Sequence, residues 1–399
     1  MKVILVNNLY GRHARGGAER VVESEARGLA ARDHEPVVVS AIPESDMLSG
    51  GVCGVEGCSG PDIIIRGAEG PVRMAEYYPP NIFFYKDLHR HSVPVRLLWH
   101  LFDIWNPKSV RMLMKFVRRE KPDVVHTHNL MGLGFSIPRA LKREGVRHVH
   151  TIHDVQLLHP SGLLPADWKG PRLPHGRLYI SIMKRRMGSP DVVLFPSEFM
   201  KELHERLGFF PESERVVLRN PVGRAGRAGK SGESGARRFL FVGQLEAHKG
   251  VLDLLDAWML WDKHGDATLS VVGSGTLEDV VKRRAEYAPG VNFRGRLEGD
   301  EFVRELGRSS WLVVPSEVIE NAPTVIVEVL ARGIPVIASR TGGIPELVQD
   351  GRNGILFEPG DREGLLAALK RAADMKIGGF SLQETQDHTE ALEEIYREQ

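Results

Sequence analysis

Residues 313–328, VVPSEVIENAPTVIVE, predict a strand that ends in a polar loop and then continues as a helix. Pro323 suits the first turn of that helix. Glu320 then lies just before the helix and Glu328 about a turn and a half into it, at roughly 3.6 residues per turn. Two glutamates eight residues apart carry little weight alone in a chain with 52 acidic residues. Their position at a strand-to-helix turn is what indicates a ligand site.

The start of this helix suits a phosphate or a sugar. Backbone N–H groups near Asn321, Ala322 and Thr324 direct the positive end of the helix dipole toward such a ligand. At the same place the Glu320 carboxylate can accept hydrogen bonds from ligand hydroxyls. Residues 333–348, GIPVIASRTGGIPELV, repeat the design of strand, glycine turn and helix, and their paired glycines allow backbone to approach a ligand closely.

Short apolar runs alternate with helical stretches along the chain, which predicts parallel strands with helical crossovers. A glycine-rich stretch without apolar periodicity, 223–236, divides the chain and predicts a flexible linker. The length of 399 residues therefore predicts an α/β protein of two Rossmann-like domains, with parallel sheets facing one another across a cleft. The apolar runs lie at 3–6, 37–40, 124–126, 148–152 and 192–196, and then at 239–242, 269–272, 291–293, 311–314 and 335–338.

Residues 239–360 resemble the donor domain of the family 4 (group 1) retaining glycosyltransferases of the GT-B fold. That family carries a Glu-x7-Glu motif, which Glu320 and Glu328 match, followed by a Gly-x-Pro-Val-Ile-Ala-Ser strand and a Gly-Gly-x-Pro-Glu turn. Its Asp-Gly-x-Asn-Gly-x-Leu-Phe segment is matched at residues 350–357. The resemblance implies that Glu328 holds the ribose hydroxyls of a nucleotide-sugar donor and that Glu320 contacts the donor sugar in the catalytic site.

Lys249, in the segment FVGQLEAHKG at 241–250, matches the lysine that binds the donor diphosphate in this family and is assigned a catalytic role as well. The family's arginine in the same segment is replaced by Gln244, which can donate hydrogen bonds to the donor but brings no charge. Either His248 or another cation compensates, or donor turnover is weakened.

In the first half the resemblance rests on two places. Gly16 and Gly17, which follow the first strand and open a helix, resemble the Gly-Gly loop that faces the donor phosphates or the acceptor. His153 ends a strand and resembles the histidine near the reacting sugar, which implies a catalytic role. His126, His128 and His159 have no comparable match and are not assigned.

The resemblance sets the expected domains and reaction. The ranges are 1–222 for an N-terminal acceptor-side domain, 237–380 for the C-terminal donor domain, and 381–399 for a C-terminal helix that could pack back on the first domain. We expect a hexosyltransferase that moves a sugar with retention to a glycan, a lipid-linked or a small-molecule acceptor. The resemblance implies a front-face route of transfer. The sequence itself shows no identifiable pair of carboxylates for a double displacement.

Composition and charge bear on the cellular setting. The apolar content of 42% and the charged content of 26% are those of an ordinary soluble enzyme. The apolar run at the N-terminus is too short for a signal peptide or a spanning helix, so we expect a cytoplasmic protein. A net charge of +7 on residues 1–222, against −6 on the rest, favours an anionic acceptor or peripheral contact with the inner face of an anionic membrane. Solvated helix faces are the alternative reading of these charges, and no nucleic acid partner is expected.

The apolar and aromatic stretch at 94–105, PVRLLWHLFDIW, carries charges and is too short to span a membrane. A buried helix is preferred here over an amphipathic helix that contacts lipid or a lipid-linked acceptor.

No metal or cofactor is expected. Cys53 and Cys58 lie in a glycine-rich segment without a second pair of ligands, and the sequence has no Asp-x-Asp pair to hold a metal-bound nucleotide sugar. One alternative function, a nicotinamide-dependent oxidoreductase, is disfavoured because Glu278 occupies the third glycine position of the dinucleotide pattern that starts at Gly273. The other is a GT-B homologue that transfers no sugar, namely a nucleotide-sugar binding protein, an epimerase or a phosphorylase.

Overall fold

A computed structural model describes residues 1–14, 16–49, 63–222, 237–262, 265–375 and 387–398. The predicted linker at 223–236 and the two cysteines, Cys53 and Cys58, lie outside the described residues.

The described chain alternates strands with helices. The strands, in chain order, are β1 (Lys2–Val6), β2 (Glu35–Ala41), β3 (Ile64–Glu69), β4 (Val72–Tyr77), β5 (Val124–Thr127), β6 (Arg147–Thr151), β7 (Val192–Phe195), β8 (Glu214–Val217), β9 (Arg238–Val242), β10 (Thr268–Val272), β11 (Val291–Gly295), β12 (Trp311–Val314), β13 (Val336–Ser339) and β14 (Gly354–Phe357). The α-helices are α1 (Gly17–Ala31), α2 (Glu44–Ser49), α3 (Val93–Trp105), α4 (Pro107–Glu120), α5 (Ile137–Glu144), α6 (Pro174–Met187), α7 (Glu198–Arg206), α8 (Val251–Leu260), α9 (Glu278–Tyr287), α10 (Gly299–Arg308), α11 (Thr324–Leu330), α12 (Ile344–Leu347), α13 (Arg362–Asp374) and α14 (His388–Arg397).

These strands form two separate sheets. The first has the order β3-β4-β2-β1-β5-β6-β7-β8, and all its neighbours are parallel except β3, which runs antiparallel to β4. The second has the order β11-β10-β9-β12-β13-β14 and is parallel throughout. The predicted α/β class with two sheets of parallel strands is therefore confirmed, and each of the ten predicted apolar runs contributes to a strand.

Strand β9 explains why the second sheet is covered on both faces. Successive side chains of a strand point to opposite faces, and here both sets are apolar. Phe239 packs in one apolar cluster with Trp258 of α8. Leu240, the next residue, packs in a second cluster with Ile326 of α11. A parallel strand that is apolar on both faces belongs in the middle of a helix-covered sheet.

The chain divides into two compact units. The first unit comprises the described residues of Met1–Leu163 and Gly170–Arg219 together with α14, and the second comprises those of Leu164–Lys169 and Asn220–Thr385. The predicted range of 1–222 for the first domain differs from this division at 164–169 and at 220–222, both of which lie in the second unit. The segment 164–169 lies there because the Leu164 carbonyl accepts a hydrogen bond from the Ile319 N–H at 2.8 Å.

Helix α14 packs within the first unit beside α1. Its Leu392 is fully buried in the same apolar cluster as Leu29 of α1. The Tyr396 hydroxyl lies 2.7 Å from Nδ1 of His126, at the end of the first sheet's central strands. The C-terminal residues thus complete the core of the unit that the N-terminal half of the sequence forms.

Helix α3 contains the apolar stretch 94–105 but does not lie in the core. Trp99, Asp103 and Ile104 are buried, whereas Leu97 and Phe102 are 56% and 61% exposed. The preferred prediction of a buried helix is therefore wrong for one whole face, because in the described part of the chain that face has no covering element. Among the helices of the described residues, none combines the length and the apolar character that a membrane span requires.

Candidate functional site

Lys249 lies at the end of a tight turn that follows β9. The chain forms a single 3-10 turn at Ala247–Lys249, and Gly250 then adopts a left-handed φ of +68° before α8 begins. A Cβ on Gly250 would lie 2.0 Å from the Pro315 carbonyl oxygen, so only glycine fits. The Glu317 N–H also donates to the His248 carbonyl at 2.9 Å. The loops after β9 and β12 are thus in direct backbone contact.

This contact brings together two residues that lie far apart in the sequence. Nζ of Lys249 donates to Oε1 of Glu320 at 2.6 Å, and the Ser316 hydroxyl donates to the same oxygen at 2.6 Å. Burial alone would raise the pKa of Glu320, but the Lys249 charge and the hydrogen bonds from Lys249 and Ser316 outweigh burial and hold it below its ordinary value. Glu320 is therefore an anion at neutral pH, paired with a cation at the carboxyl ends of two parallel strands.

A third loop, after β13, fixes the backbone of Glu320. Gly342 has a φ of +56°, and a Cβ on it would lie 1.8 Å from the Glu320 carbonyl oxygen. The next N–H, of Gly343, donates to that oxygen at 2.9 Å, and the Thr341 hydroxyl donates to the Val318 carbonyl at 3.1 Å. The paired glycines therefore hold the backbone of Glu320 in place, in addition to the predicted role of letting a ligand approach the backbone closely.

Helix α11 begins at Thr324, and Pro323, predicted for the first turn, is its N-cap residue. Glu328 is the fifth residue of this helix and is 8% exposed. Asn321 and Ala322, before the helix, are both buried, and the Ala322 carbonyl accepts from the Asn220 side-chain amide at 2.8 Å. The predicted donor-binding residues of this segment thus lie on one short, well-fixed loop and helix start.

Gln244 is exposed on the loop that precedes Lys249. His248 does not supply the positive charge that the family's arginine would bring. Burial, and then the Lys249 cation, lowers the pKa of His248, and Glu320 and Glu246 offset this only in part. The imidazole is neutral at pH 7, so Lys249 is the cation that this loop offers.

The glycines at 273 and 275 have a structural explanation. A Cβ on Gly273, whose φ is +147°, would lie 1.8 Å from the Gly243 carbonyl oxygen, and one on Gly275 would lie 2.6 Å from that of Leu245. The Thr276 N–H and hydroxyl donate to the Glu246 carboxylate at 2.9 and 2.6 Å. The start of a dinucleotide pattern at these residues is accounted for by the close packing of two loops.

In the first unit, Gly16 is the N-cap residue of α1, and its N–H donates to the carboxylate of Glu19 at 3.0 Å. Gly17 is the first residue of the helix. His153 lies two residues beyond β6, and its Nε2 shares a hydrogen bond of 2.9 Å with Nδ1 of His128. Burial lowers the pKa of His153 to about 3, so the ring is neutral at pH 7.

Sequence reasoning missed the network behind His153. Oε2 of Glu25, a residue 1% exposed on α1, lies 3.3 Å from Nε2 of His128 and 3.8 Å from Nδ1 of His126. Nε2 of His388, on α14, lies 3.1 Å from the other carboxylate oxygen. Burial raises the pKa of Glu25, and the hydrogen bond and charge of His388 oppose that effect. The available signal was the pair of histidines two residues apart at the carboxyl end of a strand.

Glu25, His126 and His128 are close enough to hold a metal ion. Both ring nitrogens of His126 already have partners, however: Nε2 lies 2.7 Å from the Thr151 hydroxyl and Nδ1 lies 2.7 Å from that of Tyr396. These contacts fit a buried hydrogen-bonded network that fixes ring orientations.

Two family profiles match the chain in succession. The one described as Glycosyltransferase Family 4 matches residues 15–224, and the one described as Glycosyl transferases group 1 matches residues 236–374. The glycogen synthase of Mycobacterium tuberculosis is 28% identical over 380 residues, which cover 94% of this chain and 86% of that protein.

Solved structures share the fold across nearly the whole chain. Sucrose-phosphate synthase from Thermosynechococcus elongatus has a TM-score of 0.65 at 18% identity and covers 93% of this chain and 89% of that one. HepE from Anabaena, in complex with UDP and glucose, has a TM-score of 0.62 at 17% identity and covers 99% and 94%. Likenesses at these identities show the fold alone, which is GT-B. One profile spans more than half of the chain and the second spans the motifs between residues 241 and 357, so the chain belongs to glycosyltransferase family 4, group 1.

Proposed function

We propose that this glycosyltransferase moves a hexose from a nucleotide-diphosphate sugar, with retention, to a glycan, a lipid-linked or a small-molecule acceptor. The observation that carries the proposal is the Lys249–Glu320 pair, held by three loops at the carboxyl ends of β9, β12 and β13. That end of a parallel sheet is where ligands of such folds bind. Support comes also from the fold shared with HepE, which was solved with UDP and glucose.

The roles follow from charge and position. Lys249 meets the diphosphate, so the donor must draw its ammonium partly away from Glu320, which is then released to accept hydrogen bonds from the sugar. Glu328 accepts from the ribose hydroxyls, and Gln244 donates to the phosphates. The backbone of Asn321, Ala322 and Thr324 supplies further donors to the phosphate or the sugar.

In the proposed front-face reaction the bond between the anomeric carbon and the phosphate oxygen breaks as the acceptor oxygen bonds on the same face. The acceptor's proton goes to the departing phosphate. Lys249 stabilises the charge that develops on that leaving group. Positioning of the donor and the acceptor supplies most of the remaining rate acceleration. From the first unit we propose His153 as the residue that contacts the transferred sugar, and Gly16 and Gly17 as the loop that faces the phosphates or the acceptor.

We propose that no metal ion takes part, since a lysine and backbone dipoles meet the diphosphate. We also propose a cytoplasmic enzyme that associates peripherally with an anionic membrane, because the positive charge is concentrated in residues 1–222.

A second candidate is a GT-B homologue that binds a nucleotide sugar without transferring it. Gln244 and the neutral state of His248 favour it, because together they leave this loop with one cation where the family pattern has two.

The test is release of nucleoside diphosphate from a panel of nucleotide sugars, with analysis of the product, for the wild type and for Lys249→Ala. Lys370→Ala, an exposed lysine of α13, is the matched control. Loss of release in the first variant alone supports transfer or hydrolysis at this site. Donor binding without release in the wild type favours the second candidate, and equal release by both variants contradicts the role of Lys249.

A further inference from the structure

Helix α3 presents an apolar face to solvent. Its exposed large apolar side chains recur four residues apart or beside such positions, so they form one continuous face of the helix. Each of them is between 40% and 61% exposed, and they are Val93, Leu97, Leu98, Leu101, Phe102 and Trp105.

The orientation of this face is set by specific buried contacts on the opposite side of the helix. Trp99 is fully buried, and its indole N–H donates to the Phe83 carbonyl at 2.8 Å. Oδ2 of Asp103, also fully buried, accepts from the Gly132 N–H at 2.9 Å. Rotating α3 to hide its apolar face would break both contacts, so the exposure is built into the fold.

Helix α6 packs against α3 and carries exposed apolar side chains of its own. Leu178 on α6 and Leu173 just before it are 62% and 58% exposed, and the Arg186 guanidinium of α6 lies 4.7 Å from the centre of the Trp105 ring. We call the six exposed apolar residues of α3, together with Leu173 and Leu178, the α3–α6 surface. They make up more than half of the 15 exposed large apolar side chains in the described chain, so exposed apolar surface is concentrated on and beside these two neighbouring helices.

The exposed ionised side chains of α3 and α6 themselves are positive. The sequence of α6 has no acidic residue, and the acidic residue of α3, Asp103, is buried. Arg96 on α3 and Arg177 and Arg185 on α6 are exposed. An apolar face bordered by cations matches the headgroup region of an anionic bilayer. A second copy of the chain, by contrast, would bring like charges together.

We propose that the α3–α6 surface docks on an anionic lipid bilayer, with its apolar side chains entering the headgroup region and its arginines meeting lipid phosphates. This deepens the membrane association proposed above. Vesicle binding needs neither donor nor acceptor, so its failure would leave the proposed transfer reaction standing.

The test is cosedimentation of the full chain with vesicles of phosphatidylcholine alone and of an equal mixture with phosphatidylglycerol. We expect tighter binding to the mixture, by about fivefold for each basic residue near the lipid surface, and weaker binding as salt is raised. Leu97→Glu combined with Phe102→Glu should weaken binding by about tenfold per side chain removed from the membrane. Met259→Glu combined with Leu260→Glu is the matched control, because that pair on α8 is 56% and 65% exposed.

Equal binding by the double variant of α3 and the wild type, with both folded, would overturn the proposal. So would equal binding to the two kinds of vesicle, since the arginines would then play no part. If the wild type instead ignores vesicles but self-associates, and the α3 variant is monomeric, the surface is an interface between copies and the proposal is wrong.

Discussion

Gly342→Ala tests whether the position of Glu320 depends on the loop after β13. The new Cβ would lie 1.8 Å from the Glu320 carbonyl oxygen, and real Cβ atoms essentially never approach closer than 3.0 Å. The loop that carries Glu320 must therefore retreat by more than 1 Å. The left-handed φ of +56° adds about 1–2 kcal/mol of strain, and loss of the hydrogen bond from Gly343 adds about 0.5–1.5 kcal/mol.

Displacement of a catalytic group by about 1 Å can cost on the order of a hundredfold in rate. We therefore expect turnover of a saturating donor to fall by about a hundredfold in Gly342→Ala. Affinity for the free nucleoside diphosphate should fall much less, because Glu328 is in helix α11 and Lys249 is in the loop after β9, and neither is in contact with the new Cβ. The assays are product formation at saturating donor and calorimetric titration with the free nucleotide.

Gly360→Ala is the matched control. Gly360 has a similar φ of +76°, but a Cβ there would meet nothing within 4 Å. This variant carries the backbone strain without the clash, so it should lose stability and keep its turnover. If Gly342→Ala, correctly folded, turns over within about twofold of Gly360→Ala, the proposed dependence of Glu320 on this loop is refuted.

The other predictions concern single groups. Glu328→Ala should weaken binding of the free nucleoside diphosphate by about 10- to 150-fold, since a charged hydrogen bond contributes about 1.5–3 kcal/mol; unchanged affinity by calorimetry would remove its assignment to the ribose. Gln244→Arg should strengthen diphosphate binding by about fivefold or more, because His248 is neutral and brings no charge; a neutral or harmful effect would mean that another cation already acts there. Activity should survive EDTA. A complete loss of activity that magnesium or manganese restores would contradict the proposal that no metal ion takes part. Asp103→Asn should be more stable than the wild type above pH 7. Burial raises the pKa of Asp103 to about 8 from 3.8. Between these two pH values the folded state holds a proton that the unfolded state has lost. Stability of the wild type then falls as pH rises through this range, by up to about 1.4 kcal/mol per pH unit, and denaturant titrations of both proteins at pH 5 and 8 should show a gap that widens with pH.

The strands that are buried on both faces, such as β9, were predicted well. Their short, unbroken apolar runs are typical of central parallel strands in a helix-covered sheet. The sequence did not predict β8, an edge strand whose four residues are half-buried or exposed. Edge strands carry a weaker apolar pattern, so they are harder to predict from a sequence.

The second unit's candidate residues could be proposed from spacing and resemblance because they lie in strand-to-helix turns or, for Glu328, in the helix that follows one. The network around His153 could not be predicted, because its members Glu25, His128 and His388 are brought together by three different elements. The exposure of one face of α3 was not predicted for the same reason. Whether an apolar helix is covered depends on which other elements pack against it, and the sequence of the helix alone does not determine this.

The most direct test of the central claim is binding of nucleotide sugars to the wild-type chain, measured as thermal stabilisation across a panel of sugars and bases. A ligand at 100 times its dissociation constant stabilises the folded state by about 2.7 kcal/mol. The account predicts that at least one nucleotide sugar, together with its free nucleoside diphosphate, stabilises the wild type to this extent, and that Lys249→Ala loses most of the effect. A folded chain that no nucleotide sugar and no nucleoside diphosphate stabilises would contradict it.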